Sequence, residues 1–444
     1  MSNIIQATVY ACFAEPHEHV RQKSNLHQTL YLNLARSMSS KILFEYQGKG
    51  KIAFDDGVEV ESEVIISAKQ DGSATLTGMA HLTPELLEIM KSHSEQKWVH
   101  AKFSGQEDQT KSKISINDLY LKVIDLSSRE DEIVRISFVF IIGSEIKVEY
   151  SSLELQDSVR VEFKLTNFLF NGCDWSEIGD YRVLDKFQAK IGEVFTFKQD
   201  PDYNAIAKSL KDNRGILVSS HALVETTFQR IQEIDQHLQD ALTLLSFATG
   251  SYISAVSRNI YKDNVLCQTY FTPCRTSACN PSEPVVRNHE QCDLKTFIEK
   301  AFSNYASLNN ELGLDKVVDY YLQAKLEKTL QIKYLLCAVA FECLTSYLLE
   351  YFKNQSKKAD LSSFKNRMES LCAEFNVTYD PSELKFIDVR DKIVHTGDFS
   401  AGMDGWEELT NLMNFLDRVI LTIVGYKGNH YLNRAKGYSY EVLE

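Results

Sequence analysis

The sequence predicts an α+β chain, with a mostly-β sheet domain at the N-terminal side followed by an all-α helical bundle. Three observations predict it. Up to about residue 200 apolar and polar residues alternate with period two, as in half-buried strands. From residue 293 onward the apolar residues recur every three or four positions, as on helices. The length, 444 residues, exceeds what one hydrophobic core ordinarily organises, so two or three units are expected.

Composition narrows the function classes. Apolar residues at 44% and charged residues at 25% are those of an ordinary globular protein. The net charge of −13 argues against a surface that coats nucleic acid nonspecifically, so any nucleic-acid site must be a local basic cleft. The opening "MSNIIQATVYACFAEPHEHV" lacks a basic segment followed by an apolar run, and no stretch reads as the roughly 20 apolar residues that span a bilayer. A cytoplasmic chain with no membrane partner is expected. Nine cysteines, an odd number scattered along the chain, fit reduced thiols better than a disulfide framework.

Residues 1–205 form the first predicted domain. "KILFEYQGKGKIAF", "VEVESEVIISAK", "SATLTGMAHL", "KWVHAKFSG", "ISINDLYLKVIDL", "EIVRISFVFII" and "SVRVEFKLTNFLF" alternate, and are rich in Val, Ile and Phe. One helix interrupts them at "TPELLEIMKSH", with Thr83 as N-cap and Pro84 at its first position. Residues 206–292 read as a helical connector carrying a Cys- and Pro-bearing segment. In "SSHALVETTFQRIQEIDQHLQDALTLLSFATG", Val224, Phe228, Ile231, Leu238, Leu242 and Leu245 make a helical stripe that Gly250 stops; Pro273, Pro281 and Pro284 then loosen the pattern. Residues 293–444 are predicted helical throughout, with helices at about 293–312, 315–326, 329–353, 361–375, 381–396 and 404–426. Joined by short turns, they should pack antiparallel.

Few segments carry chemistry. Cys267, Cys274, Cys279 and Cys292, with His289 near them, lack the C-x-x-C pairs of a zinc knuckle, and free thiols are the better reading. No phosphate-cradling G-x-x-x-x-G-K-[ST], no H-E-x-x-H and no G-x-S-x-G occurs, so no cofactor or metal is expected. One segment stands apart: "DVRDKIVHTGDF", residues 388–399, on a helix that Pro381 starts and Gly397 stops. Phe386, Val389 and Ile393 form one ridge of it and Ile387 and Val394 another, both expected to be buried. Arg390 and His395 lie about 140° apart around an ideal helix, so one chain brings them together only if the last turn loosens. A second copy of the helix would do it across a dimer. The spacing alone is cheap, since an arginine followed after four to six residues by a histidine recurs as Arg21/His27 and Arg230/His237, and cations at a helix C-terminus need no function.

The motif resembles the signature of HEPN domains, all-helical modules whose final motif is Arg, a polar residue, variable residues and His. "YLLCAVAFECLTSYLLEYF" is similar to the family's earlier core helix, with Glu342 where an acidic or polar residue faces the motif. The layout resembles ApeA-like antiphage proteins, which place a strand-rich domain before a HEPN nuclease. Asp391 departs from the pattern, standing where Asn is usual. The resemblance implies metal-independent RNA cleavage, with transfer RNA among the candidate substrates. His395 would act as general acid/base and Arg390 as phosphate clamp. Asp391 would orient His395 or Arg390, and Glu342 would hold Arg390. Lys392, Lys365 and Arg367, beside Lys357 and Lys358, would steer RNA. A homodimer is implied, and a phage-derived trigger or an inhibitor would act through the N-terminal domain. The competing reading is a HEPN-type module that binds nucleotide or RNA, or dimerises, without cutting.

Overall fold

The computed structural model describes residues 42–94, 99–106, 111–130, 133–178, 181–213, 215–273, 284–286, 292–357, 359–434 and 437–443. Arg21, His27, Cys274, Cys279, His289 and Lys358 lie outside the described residues.

The chain begins as an antiparallel meander of β1 (Ile42–Phe54), β2 (Glu59–Lys69) and β3 (Ala74–His81). Alternation drives it: along β2, Val60, Val64, Ile66 and Ala68 are buried, whereas Glu59, Glu61 and Glu63 face water. Helix α1 (Pro84–Ser94) follows, capped as expected, with Leu86 N–H donating to Thr83 Oγ1 at 3.3 Å. Then come β4 (His100–Gln106), β5 (Lys113–Glu130) and β6 (Ile133–Ile142). β6 pairs with β3 and with β5, while β4 pairs with both β1 and β5, so these six strands close on themselves as a barrel. Ile52, Phe54, Leu76, Phe103, Phe138 and Phe140 fill it, joined by Leu86 and Ile89 of α1. Gly50 is required for this filling, because a Cβ there would come 2.3 Å from the Phe103 ring.

The sheet continues beyond the barrel. β7 (Ile146–Glu149) leads to β8 (Ser158–Thr166), β9 (Asp174–Ile178), β10 (Tyr181–Ile191) and β11 (Glu193–Gln199). After helix α2 (Tyr203–Asn213) come β12 (Val218–Thr227), helix α3 (Ile231–Thr249), β13 (Ser254–Lys262) and β14 (Val265–Phe271). All belong to one antiparallel sheet in the order β4-β1-β2-β3-β6-β5-β7-β14-β13-β8-β12-β11-β10-β9. Here the predicted connector is corrected. Residues 218–227, read as the start of a helix, form β12, inserted between β8 and β11, with Val218, Ser220, Ala222 and Val224 buried by alternation. Pairing on both sides overrides the helical spacing of Val224 and Phe228, and the helix begins only at Ile231. The loosened segment holds the β13–β14 hairpin, whose Asp263 and Asn264 sit at φ 50° and 63°, as a two-residue primed turn demands.

Helices α4 (Asp293–Leu312), α5 (Leu314–Leu326), α6 (Leu330–Asn354), α7 (Phe364–Phe375), α8 (Phe386–Thr396) and α9 (Gly405–Ile423) follow, within a few residues of the predicted bounds. Helix does not continue to the end, however. β15 (Asn429–Arg434) and β16 (Gly437–Val442) pair as a hairpin, and Tyr431 N–H donates to Val285 O at 2.8 Å. The predicted absence of a spanning stretch is also corrected: α6 is long and apolar enough to cross a membrane by length and composition. In this fold Tyr334, Cys337, Phe341, Leu344 and Leu348 of α6 are buried in the helical core.

Among the described residues two hydrophobic cores result, and they divide between Val148 and Val159 rather than at residue 205 or 293, except that Phe271 of β14 joins the barrel core. Val161, Phe163, Phe187 and Phe197 of the sheet share one core with Phe247, Phe297, Tyr321, Phe341 and Leu416 of the helices. The helices therefore complete their burial against strands β8–β13 as well as against one another.

Candidate functional site

Helix α8 carries the Arg390/His395 motif. Its entry is a tight 3-10 turn, Pro381–Lys385, fixed by a capping box: Ser382 N–H donates to Asp380 Oδ1 and Asp380 N–H to Glu383 Oε2, both at 2.8 Å. Arg418 of α9 holds the same Glu383 carboxylate, reaching both oxygens at 2.6 Å. Phe386 stacks on Phe341 of α6 at 5.0 Å between centroids, and Val389 and Ile393 are buried below it. This is the first predicted ridge. The second is not buried: Val394 is 58% exposed and Ile387 only half-buried. Helix α8 thus has a narrow buried seam, and its Ile387–Arg390–Val394 flank faces outward.

Arg390 lies on that flank, 28% exposed, between two carboxylates. One Nη bonds Glu342 of α6, and the other donates to Asp391 Oδ1 at 2.6 Å. The Asp391 hydrogen bond first, with the Glu342 charge adding to it, holds the guanidinium above its ordinary range. Of the two roles open to Asp391, pairing with Arg390 is the one this geometry contains. Glu342 meets Arg390 as the resemblance implied.

His395 is exposed in the last turn, and its ring has no hydrogen-bond partner among the described residues. That turn is closed. Gly397, at φ 78°, donates its N–H to Ile393 O at 2.8 Å, and Thr396 Oγ1 donates to Lys392 O at 2.8 Å. The loosening that would let Arg390 and His395 converge within one chain is therefore absent, and they stay on different sides of α8.

The basic residues divide. Lys392 is exposed on α8 itself, and Lys365 is exposed at the start of α7. Arg367 is half-buried, its guanidinium 5.9 Å from the Phe364 ring centre, and Lys357 is paired with Glu374. Phe364 packs edge-on against Phe386, which puts Lys365 and Arg367 by the first turn of α8, about 14 Å along the helix axis from His395. Of the cysteine segment, Cys267 is buried in β14 and Cys292 stands before α4. Among the described residues no group of three or more His, Cys, Asp or Glu could hold a metal.

Sequence reasoning passed over two features. His221 of β12 lies between Glu162 at 3.1 Å and Asp200 at 3.4 Å; this contact, against the opposing effect of burial, drives the Glu162 carboxyl down to about 2. A cavity of about 680 Å³ adjoins the entry of α8, lined by Tyr334, Tyr379, Lys385, Glu408 and Arg418 among others. Neither leaves a local pattern, because the partners come from distant segments. No protein-family model, curated protein or solved structure matches the chain.

Proposed function

We propose that the chain is a metal-independent RNA endonuclease of antiphage defence, its helices α4–α9 forming a HEPN-like bundle and its active cleft assembled from two copies of α8. The observation that carries this reading is the contrast on one helix. Arg390 is fixed in place by Glu342 and Asp391, His395 is exposed and unpartnered, and the closed last turn keeps them apart. A site that uses both residues then takes Arg390 from one chain and His395 from another. Half-buried Leu335 and Val339 and exposed Ile332 on α6, with Ile387 and Val394 on α8, give the second copy an apolar surface around the Arg390–Glu342 pair.

In that cleft His395 removes the 2′-hydroxyl proton, the oxygen attacks the adjacent phosphorus, and the bond to the 5′ oxygen breaks with a proton returned to it. Arg390 stabilises charge on the phosphoryl oxygens, and the products are a 2′,3′-cyclic phosphate and a 5′-hydroxyl. Lys392 lies close enough on α8 to guide the strand. The barrel is the sensor that releases this activity.

One observation favours a second reading, a binding or dimerisation module without catalysis: both ends of the Arg390 guanidinium are already taken by carboxylates. Mixing chains separates the two. Arg390→Ala and His395→Ala proteins, each inactive alone, should recover roughly a quarter of wild-type RNA cleavage when combined in equal amounts, because about half of the dimers are then mixed and each mixed dimer rebuilds one of its two sites. Wild-type protein that binds RNA without cutting it would favour the second reading and overturn the first.

A further inference from the structure

Cys173 and Cys292 are 119 positions apart in sequence, yet their thiols meet as a hydrogen-bonding pair. Each is held there from its own side. Cys173 precedes β9, and its N–H donates to Lys186 O of β10 at 2.9 Å. The adjacent Gly172 lies so close to β10 that a Cβ would come 2.6 Å from Lys186 N. Cys292 is the residue before α4; it adopts φ 72°, a conformation costly for a side-chain-bearing residue, and its carbonyl accepts the Thr296 N–H at 2.8 Å. Helix α4 packs on β10, where Lys190 N–H donates to Glu299 Oε1 at 3.4 Å, and this docking brings the sulfur atoms together. Both cysteines are half-exposed, whereas Cys267, Cys337 and Cys372 are buried.

We propose that Cys173 and Cys292 are a peroxide-responsive thiol pair that closes into a disulfide and fastens the first helix of the C-terminal region to the end of the sheet. Burial first, then the bond to Cys292, pushes the Cys173 thiol up. The first step is assigned to Cys292 and the second to Cys173. The Cys292 sulfur attacks a peroxide oxygen: an S–O bond forms, the O–O bond breaks, and hydroxide leaves as water, giving a sulfenic acid. The Cys173 sulfur then attacks the Cys292 sulfur. The S–S bond forms, the S–O bond breaks, and the Cys173 proton leaves with the hydroxide as a second water. Peroxide is reduced and the two thiols are oxidised, with no other reactant. Asp174 and Lys295 are the charged groups beside the pair. The inference does not depend on RNA cleavage.

Full-length protein treated with hydrogen peroxide, alkylated and digested without reductant tests it by mass spectrometry. The expected result is a peptide containing Cys173 joined to one containing Cys292, lost on adding dithiothreitol. In Cys173→Ser protein the reaction should stop at a Cys292 sulfenic acid that dimedone traps. Free, alkylated Cys173 and Cys292 after peroxide treatment of the wild type, or Cys292 joined mainly to another cysteine, would overturn the proposal.

Discussion

The barrel and the helical core differ in what they bury. The barrel is filled by Ile52, Phe54, Leu76, Phe103 and Phe140, and the buried polar side chains of its region, Ser62, Gln70 and Ser112, are neutral. The helical core encloses charge: Asp417 of α9 is 1% exposed and Lys325 of α5 is 2% exposed, the lysine acting on the carboxylate, and Asp240 of α3 is buried as well. A neutral core asks only for volume and shape, whereas buried charges are tolerated only with their partners. The helical region therefore depends on specific pairings. The candidate chemistry lies on the same side of the molecule, where Arg390 is itself set by two carboxylates.

The largest effect should come from cutting the chain. Residues 293–444 alone leave the strand-facing side of their core uncovered and should aggregate, while residues 151–444 keep strands β8–β14 and should unfold cooperatively on urea titration. A soluble, cooperatively folding 293–444 fragment would break the comparison. Next in size, Asp417→Leu strands the Lys325 ammonium and should cost about 3–5 kcal/mol in urea unfolding at neutral pH. Adding Lys325→Met should restore most of it. Phe140→Ala in the barrel should cost a similar ~3–5 kcal/mol, with no partner substitution that restores it.

Smaller effects sharpen the electrostatic half. Asp391→Asn removes one of the carboxylates that compete with phosphate for Arg390, and should tighten RNA binding several-fold, with a steeper salt dependence in a filter-binding titration. Unchanged affinity would mean that Arg390 does not meet the RNA. The sheet half that shares the helical core carries charge too. The Glu162 carboxyl is lowered to about 2 from an ordinary 4.5, so it contributes stability that is fully present above pH 4.5 and lost as pH falls through about 2. The full conversion is about 3 kcal/mol, and solvent screening of this partly exposed carboxylate reduces the expected loss to on the order of 2 kcal/mol. Glu162→Gln should flatten that part of the acid-unfolding curve, and an unaltered curve would show that His221 does not hold the carboxylate.

Where a residue's role is set by its neighbours in sequence, the chain could be read directly. Thr83 and Pro84 at the start of α1, Gly250 after α3 and Gly397 after α8 mark helix ends through local backbone geometry, and all four fall where predicted. Placement set by distant partners could not be read. Val224 fits a helical stripe in sequence but lies in β12, because β8 and β11 flank it. Val394 falls on a ridge that the sequence predicts to be buried, yet it is 58% exposed. The candidate site shows the same division. Arg390, His395 and their helix were legible as a motif, and Glu342 by resemblance, while the choice of Asp391 for Arg390 over His395 depends on side-chain geometry. The meeting of Cys173 with Cys292 depends on α4 docking against β10, which no local pattern encodes.

The central claim is that His395 takes part in metal-independent RNA cleavage. Purified wild-type and His395→Ala proteins, incubated with total RNA and defined transfer RNAs in EDTA, test it when the product ends are mapped. Fragments ending in 2′,3′-cyclic phosphate and beginning with 5′-hydroxyl from the wild type alone are the predicted result. Equal cleavage by both proteins, or by neither in the presence of phage-infected extract shown to lack background nuclease, would contradict it.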